Sequence, residues 1–218
     1  MRLMLGAGGG VLWFASACAF GTCTKGADSH AFDAVGWIDA GCVGTAIGPH
    51  WIVTAAHCNV STATFSLTGL PAQGVVIDRC IVPQDFAMGQ GTDIAVCHVS
   101  TPLGVHAVLD AEEVETSTTL TAVGFAAEPG GRGLRTWTGL VSGSGIELEV
   151  ELPANSVCAG ASGGPAFVVR DGKRQLAAIA SSRRRGTSCT DGSKVNYTKI
   201  SAAREWLQQV LPSGWRDR

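Results

Sequence analysis

Cys42-Val-Gly-Thr-Ala-Ile47 runs through Gly48-Pro-His50 into Trp51-Ile-Val-Thr54 and ends on Ala55-Ala-His57-Cys58. The two apolar runs are rich in β-formers, and Gly-Pro between them signals a turn, so they predict two short strands. The same pattern continues on both sides of the chain's midpoint. Gly74–Ile77, Asp93–Val99 and Thr118–Val123 are further β-rich runs at short spacing. Ile146-Glu-Leu-Glu-Val-Glu-Leu152 alternates strictly. Its three glutamates must share one face and its apolar residues the other. Phe167–Val169 and Leu176–Ala180 flank Asp171-Gly172, a hairpin signal. Only Ser201–Leu211 reads as a helix. Ala203, Trp206, Leu207 and Val210 recur at helical spacing, Ser201 is placed to cap, and Pro212 to stop it.

Composition agrees with this pattern. The chain has 218 residues, of which 29 are glycine and only 16% are charged. That argues against a helix bundle and for many strands joined by turns, an all-β sandwich or a pair of barrels. Glu128-Pro-Gly-Gly-Arg-Gly133 is the loosest stretch and reads as a surface loop. The formal net charge of −2 lacks the basic excess of a nucleic-acid binder. The charge is uneven, however. Residues 1–130 carry 3 basic and 11 acidic side chains, whereas residues 131–218 carry 13 and 7. Such halves attract each other across an interface, or frame a groove with a built-in field.

Residues 1–20 read as a secretory signal: Arg2, then an uncharged stretch to Phe20 that ends in small residues. Cleavage after Ala17 or Ala19 fits. Ala15-Ser-Ala-Cys18 also resembles a loose lipobox that would lipidate Cys18. The expected location is secreted or periplasmic, with a membrane reached only through a lipid on Cys18. Export fits the eight cysteines, which show no zinc spacing and favour disulfides. Setting aside Cys18 and Cys23 leaves Cys42, Cys58, Cys80, Cys97, Cys158 and Cys189, with fifteen connectivities open.

Three segments carry chemistry. Thr54-Ala-Ala-His57-Cys58 places a histidine after a strand, Thr92-Asp93-Ile-Ala-Val96 opens a strand with an aspartate, and Cys158-Ala-Gly160-Ala-Ser162-Gly-Gly164-Pro165 sets a serine in a glycine turn. Each alone has a structural reading as a buried histidine, a cap or a turn. Together they supply what acyl transfer needs. A serine hydroxyl requires a neighbouring imidazole to take its proton. The imidazole requires a carboxylate to fix its tautomer. The developing oxyanion requires fixed backbone donors, which a tight glycine turn offers.

These residues, in this order, resemble the chymotrypsin-like (trypsin-fold) serine proteases, in a compact bacterial-type form. The resemblance covers most of the chain: Cys42–Cys58, Thr118–Phe125, the serine turn and Ser201–Leu211. It implies two six-stranded antiparallel β-barrels with a C-terminal helix, divided near 22–118 and 119–218. It implies an endopeptidase acting on protein or peptide substrates, with no cofactor or metal. His57, Asp93 and Ser162 would be catalytic, and the backbone N–H groups of Gly160 and Ser162 the oxyanion hole. Ser156, Ser181 and Val195 would line the specificity pocket. The implied disulfides are Cys42–Cys58 and Cys158–Cys189; Cys80 and Cys97 have no family pair and join by elimination.

One position departs from the family pattern. The residue before the serine is Ala161, where the trypsin group carries an aspartate that pairs with a freed N-terminus. The chain also lacks the usual Ile-Val-Gly-Gly start. The alternative reading is therefore a catalytically inert, protease-like binding protein. A small-ester acylhydrolase is disfavoured, because no helix follows Ser162 to form a nucleophile elbow.

Overall fold

The computed structural model describes residues 29–68, 74–84, 86, 91–128, 131–145, 147–154, 161–183 and 193–213. Strands β1 (Val35–Ile38), β2 (Cys42–Gly48), β3 (Trp51–Thr54), β4 (Ala63–Leu67), β5 (Val75–Ile81) and β6 (Ala95–Val99) close a first antiparallel barrel. Their order is β1-β2-β3-β6-β5-β4, and β4 pairs back onto β1. A two-residue strand, β7 (Val108–Leu109), follows. Strands β8 (Thr119–Glu128), β9 (Gly131–Ser144), β10 (Glu147–Leu152), β11 (Pro165–Arg170), β12 (Lys173–Arg183) and β13 (Ser193–Lys199) build the second barrel. Their order is β11-β8-β9-β10-β13-β12, closed by β11–β12, with β7 lying parallel on the edge of β12. Helix α1 (Arg204–Val210) follows β13. No helix among the described residues is long and apolar enough to cross a membrane.

Side-chain alternation explains the barrel walls. Along β10, Leu148, Val150 and Leu152 are buried, whereas Glu151 is exposed and Glu147 and Glu149 are half-buried. Strand β2 is buried almost throughout, because one face fills the first barrel and the other meets the second. The larger core therefore crosses the seam between the barrels. It joins Val43 and Ile52 to Phe167, Leu176 and Ile179, and takes in Ile200 and Leu207 at the C-terminal end. Edge-on ring pairs Phe32–Phe167 and Trp37–Phe125, at 5.6 and 5.8 Å, reinforce that seam. The predicted hairpin at Asp171-Gly172 forms, with φ of 51° and 75° at the two residues, the left-handed geometry of a tight hairpin turn.

The connection between the barrels is fastened to both. Leu103 and Ala107 donate backbone N–H groups to Pro49 O and Ala46 O of the first barrel. Asp110, fully buried, receives both bonds of Arg170 Nε from β11, at 3.0 and 2.9 Å, and its own N–H bonds Leu176 O. Glu113 accepts from Lys199 at the end of β13 and from Ser201 Oγ. Such charge-assisted bonds are stronger than neutral ones, and removing one partner strands a buried charge.

Three expectations need correction. In the stretch read as a loop, Glu128 and Gly131–Gly133 are strand: Glu128 pairs with Gly131 and Ala127 with Arg132, while residues 129 and 130 lie outside the described residues. The helix starts at Arg204 rather than near Ser201, and Ala203 caps it without a side-chain bond. Ser201 is diverted because Glu113 takes its hydroxyl.

Candidate active site

His57 lies in a single 3-10 turn (Ala56–Cys58) directly after β3, and a left-handed Asn59 (φ 46°) ends that turn. Cys58 is bonded to Cys42 at the start of β2, which pins the turn against the barrel. In the chain-entropy account a closed loop of this size stabilises by about 3 kcal/mol. Asp93 sits two residues before β6 and is buried. Cys80 and Cys97 stand directly opposite each other on β5 and β6 and form a second disulfide. This bridge fixes the register of the strand that Asp93 precedes.

The carboxylate holds the imidazole twice. The His57 backbone N–H donates to Asp93 Oδ1 at 2.9 Å, and Nδ1–H donates to Oδ2 at 2.6 Å. With Nδ1 protonated and facing a carboxylate, Nε2 keeps its lone pair and can accept a proton. The bond to Asp93 raises the His57 pKa above its ordinary value near 6.5, although partial burial opposes the rise. Burial pushes Asp93 up, but the bonds from His57 and Ser181 together hold it below the usual carboxylate range. Ser181 Oγ donates to Asp93 Oδ2 at 2.7 Å. A bulge explains its aim: β12 matches Ala180 to Tyr197 and Ser182 to Asn196, leaving Ser181 as the extra residue. This role was not legible in the sequence, where Ser181 was expected only as a pocket residue.

The backbone draws Ser162 to the same place. Val43, next to the disulfide at Cys42, donates its N–H to Ser162 O at 2.8 Å. Thr54 Oγ1 bonds Val43 O at 2.7 Å, three residues before His57. On the other side, Gly163 N–H donates to Ala180 O and Ala180 N–H to Gly164 O, both at 2.8 Å. Ser162 is therefore stitched to the strand ends that carry His57 and Ser181. The turn demands glycine: Gly163 has φ +79°, and a Cβ there would lie 2.2 Å from Thr54 Oγ1 and 2.3 Å from Val43 O. Among the described residues no hydrogen bond joins the Ser162 hydroxyl to the His57 ring. Such contacts are often long until substrate arrives.

Ala161 is 4% exposed and belongs to the second barrel's core, against which Trp137 packs. The residue before the serine is thus anchored by apolar contact rather than by a charge. Val195 is buried in the middle of β13, opposite Val150. Ser156, Gly160, Cys158 and Cys189 lie outside the described residues, as do Cys18 and Cys23. His57 and the sulfurs of Cys42 and Cys58 come close together. Both sulfurs are committed to the disulfide, so no thiolate is left for a metal.

Comparison with known proteins places this geometry. The structure is similar to that of kallikrein-related peptidase 10 in complex with Zn2+, with a TM-score of 0.67 at 17% identity. The match covers 84% of this chain and 97% of that one, and at such low identity it speaks for the fold alone. The sequence model of the Trypsin family matches residues 25–207. With two closed six-stranded barrels and a histidine–aspartate pair at their seam, the chain belongs to the trypsin family of chymotrypsin-like serine proteases.

Proposed function

We propose that the protein is an exported serine endopeptidase that cleaves peptide bonds through an acyl-enzyme. The observation that carries this reading is the double hold of Asp93 on His57, which leaves Nε2 basic at the seam where Ser162 is tied. In this mechanism His57 Nε2 takes the Ser162 proton as Oγ attacks the scissile carbonyl, then returns it to the leaving amine. Asp93 stabilises the imidazolium between those steps. The N–H groups of Gly160 and Ser162 receive the oxyanion. Water then repeats the sequence to release the acyl group. The barrels divide near 22–118 and 119–218, residues 1–20 serve export, and Cys158–Cys189 tethers the serine turn. A fluorophosphonate probe should label wild-type protein at Ser162 and spare the denatured chain. Absence of labelling in folded protein would favour the inert, protease-like binder.

Specificity follows from two positions. Ser156, six residues before Ser162, would form the pocket floor and offers no charge to attract Arg or Lys. Val195, with its branched side chain, would shorten the slot from the side. A peptide library should therefore show cleavage after small or medium uncharged residues. Predominant cleavage after Arg or Lys would overturn this assignment.

Activation should not depend on a freed N-terminal amine. Ala161 has no charge for an amine to meet, and Trp137 packs against the core that contains it. Protein that begins at Gly21 with an added N-terminal tag is expected to turn over at the untagged rate. Activity that appears only after removal of the tag by an internal cut would reveal a zymogen switch.

A further inference from the structure

The space behind the His57–Asp93 pair holds more acid than a triad needs. Glu147, the first residue of β10, stands directly across the ladder from Thr198 of β13. Thr198 in turn faces Ile179 of β12, two residues before Ser181. Opposed residues in antiparallel strands point to the same side of the sheet. The register thus carries a carboxyl from the far strand toward the bulge at Ser181. There Glu147 comes within hydrogen-bonding reach of the Ser181 hydroxyl and feels the charge of Asp93. Thr198 is almost wholly buried, and among the described residues its hydroxyl has no hydrogen-bond partner.

We propose that Glu147 is a positioning residue for His57: a second carboxylate that competes with Asp93 for the Ser181 proton and adds its charge to the field at the imidazole. The inference rests on the triad reading above and extends it by one group. Ser181 has one hydroxyl proton, which it gives to Asp93 at 2.7 Å. When Glu147 is protonated it can donate to Ser181, and the chain Glu147–Ser181–Asp93 is satisfied in one direction. When Glu147 is ionised it draws the same hydroxyl proton away from Asp93. The less compensated Asp93 and the new negative charge then both favour the imidazolium. Burial, helped by the nearby charge of Asp93, raises the pKa of Glu147, and the Ser181 hydroxyl opposes that rise only when it turns from Asp93 to Glu147.

Among the described residues of the neighbouring strands, the other charges that the structure places are committed or distant. Glu149 and Glu151 follow on β10 and are both held by Lys194 of β13. Lys199, next to Thr198 at the C-terminal end of β13, is held by Glu113. On β9 the residue facing Leu148 is Ser144, and Arg135 lies toward the opposite end of that strand, across from Gly124. On β12 Arg183 pairs through its backbone with Val195. Asp93, with His57 beyond it, comes from the first barrel.

The test is the titration of His57 by NMR in the full chain, with the signal assigned by its loss in His57→Ala. In wild-type protein the His57 Nδ1–H resonance should move twice, once as Glu147 ionises above 4.5 and again as the ring loses its proton above 6.5. In Glu147→Gln the first step should vanish. The proton affinity of His57 should fall about threefold, or half a pH unit. Glu147→Asp keeps the charge and should keep both steps. A single step in wild-type protein, or an unchanged ring titration in Glu147→Gln, would overturn the proposal. The readout needs no turnover, so an inert protein with a two-step titration would sink the protease reading and leave this one standing. In active protein the acid limb of kcat/KM should shift with the ring.

Discussion

Ser162→Ala is expected to lower kcat by about 10⁴- to 10⁶-fold while leaving the melting temperature almost unchanged. The side chain is only half-buried, and what ties it to the fold is its carbonyl, which alanine retains. His57→Ala should cost about as much in rate. The double variant should cost little more than either single one, because a nucleophile without its base, or a base without its nucleophile, performs no proton transfer. The stability signatures should differ. His57→Ala strips Asp93 of its imidazole partner and leaves the buried carboxylate with Ser181 as its remaining side-chain donor, so its melting temperature should fall. Measured by burst-phase acylation and thermal melts, near-normal hydrolysis by Ser162→Ala would remove the catalytic assignment outright.

Gly163→Ala should be the most damaging glycine-to-alanine change among the described residues. The added carbon would fall 2.2 Å from Thr54 Oγ1 and 2.3 Å from Val43 O, and φ +79° already disfavours any side chain. Relief requires Val43 to move, which breaks its bonds to Thr54 and to Ser162. We expect a loss of about 2–4 kcal/mol in stability and of most turnover, since the moving atoms set the serine against the histidine. Gly172 supplies the control. Its φ is +75°, but nothing lies near an added Cβ, so Gly172→Ala should cost only about 1–2 kcal/mol and spare activity. Equal losses in the two variants would show that backbone torsion, not the approach of the barrels, governs the position.

The elements that could be read from sequence are those whose signal is local. Strands β2, β3, β6 and β10 announce themselves by apolar runs or alternation, and the β11–β12 hairpin by Asp171-Gly172. Strand β9 leaves no local signal because Gly131–Ser144 is rich in glycine, threonine and serine and shows no period; its ladder with β8 supplies what propensity does not. Strands β1 and β4, only four and five residues long, show the same lack of pattern. The start of the helix is hidden from the sequence because Ser201 answers to Glu113, 88 residues away. At the site, the order of His57, Asp93 and Ser162 was plain because each sits in a short motif. The hydroxyl of Ser181 on Asp93 was not, since it depends on a one-residue bulge and on a carboxylate from the other barrel. No periodicity encodes that.

The connection from β6 to β8 has a mechanical consequence. It is held to the first barrel at Leu103 and Ala107 and to the second at Asp110 and Glu113, with only two residues between the two sets of anchors. A hinge needs a run of backbone whose torsions can change without breaking bonds, and this run has almost none. The barrels are consequently not free to clamp shut around a substrate. If the protein acts as the proposed endopeptidase, its selectivity would come from a mould of fixed shape, one that accepts an extended chain that already fits and rejects folded polypeptide. The same bolting protects the crossover itself, since a protease from outside would have to peel it from both anchor points before finding a strand to cut.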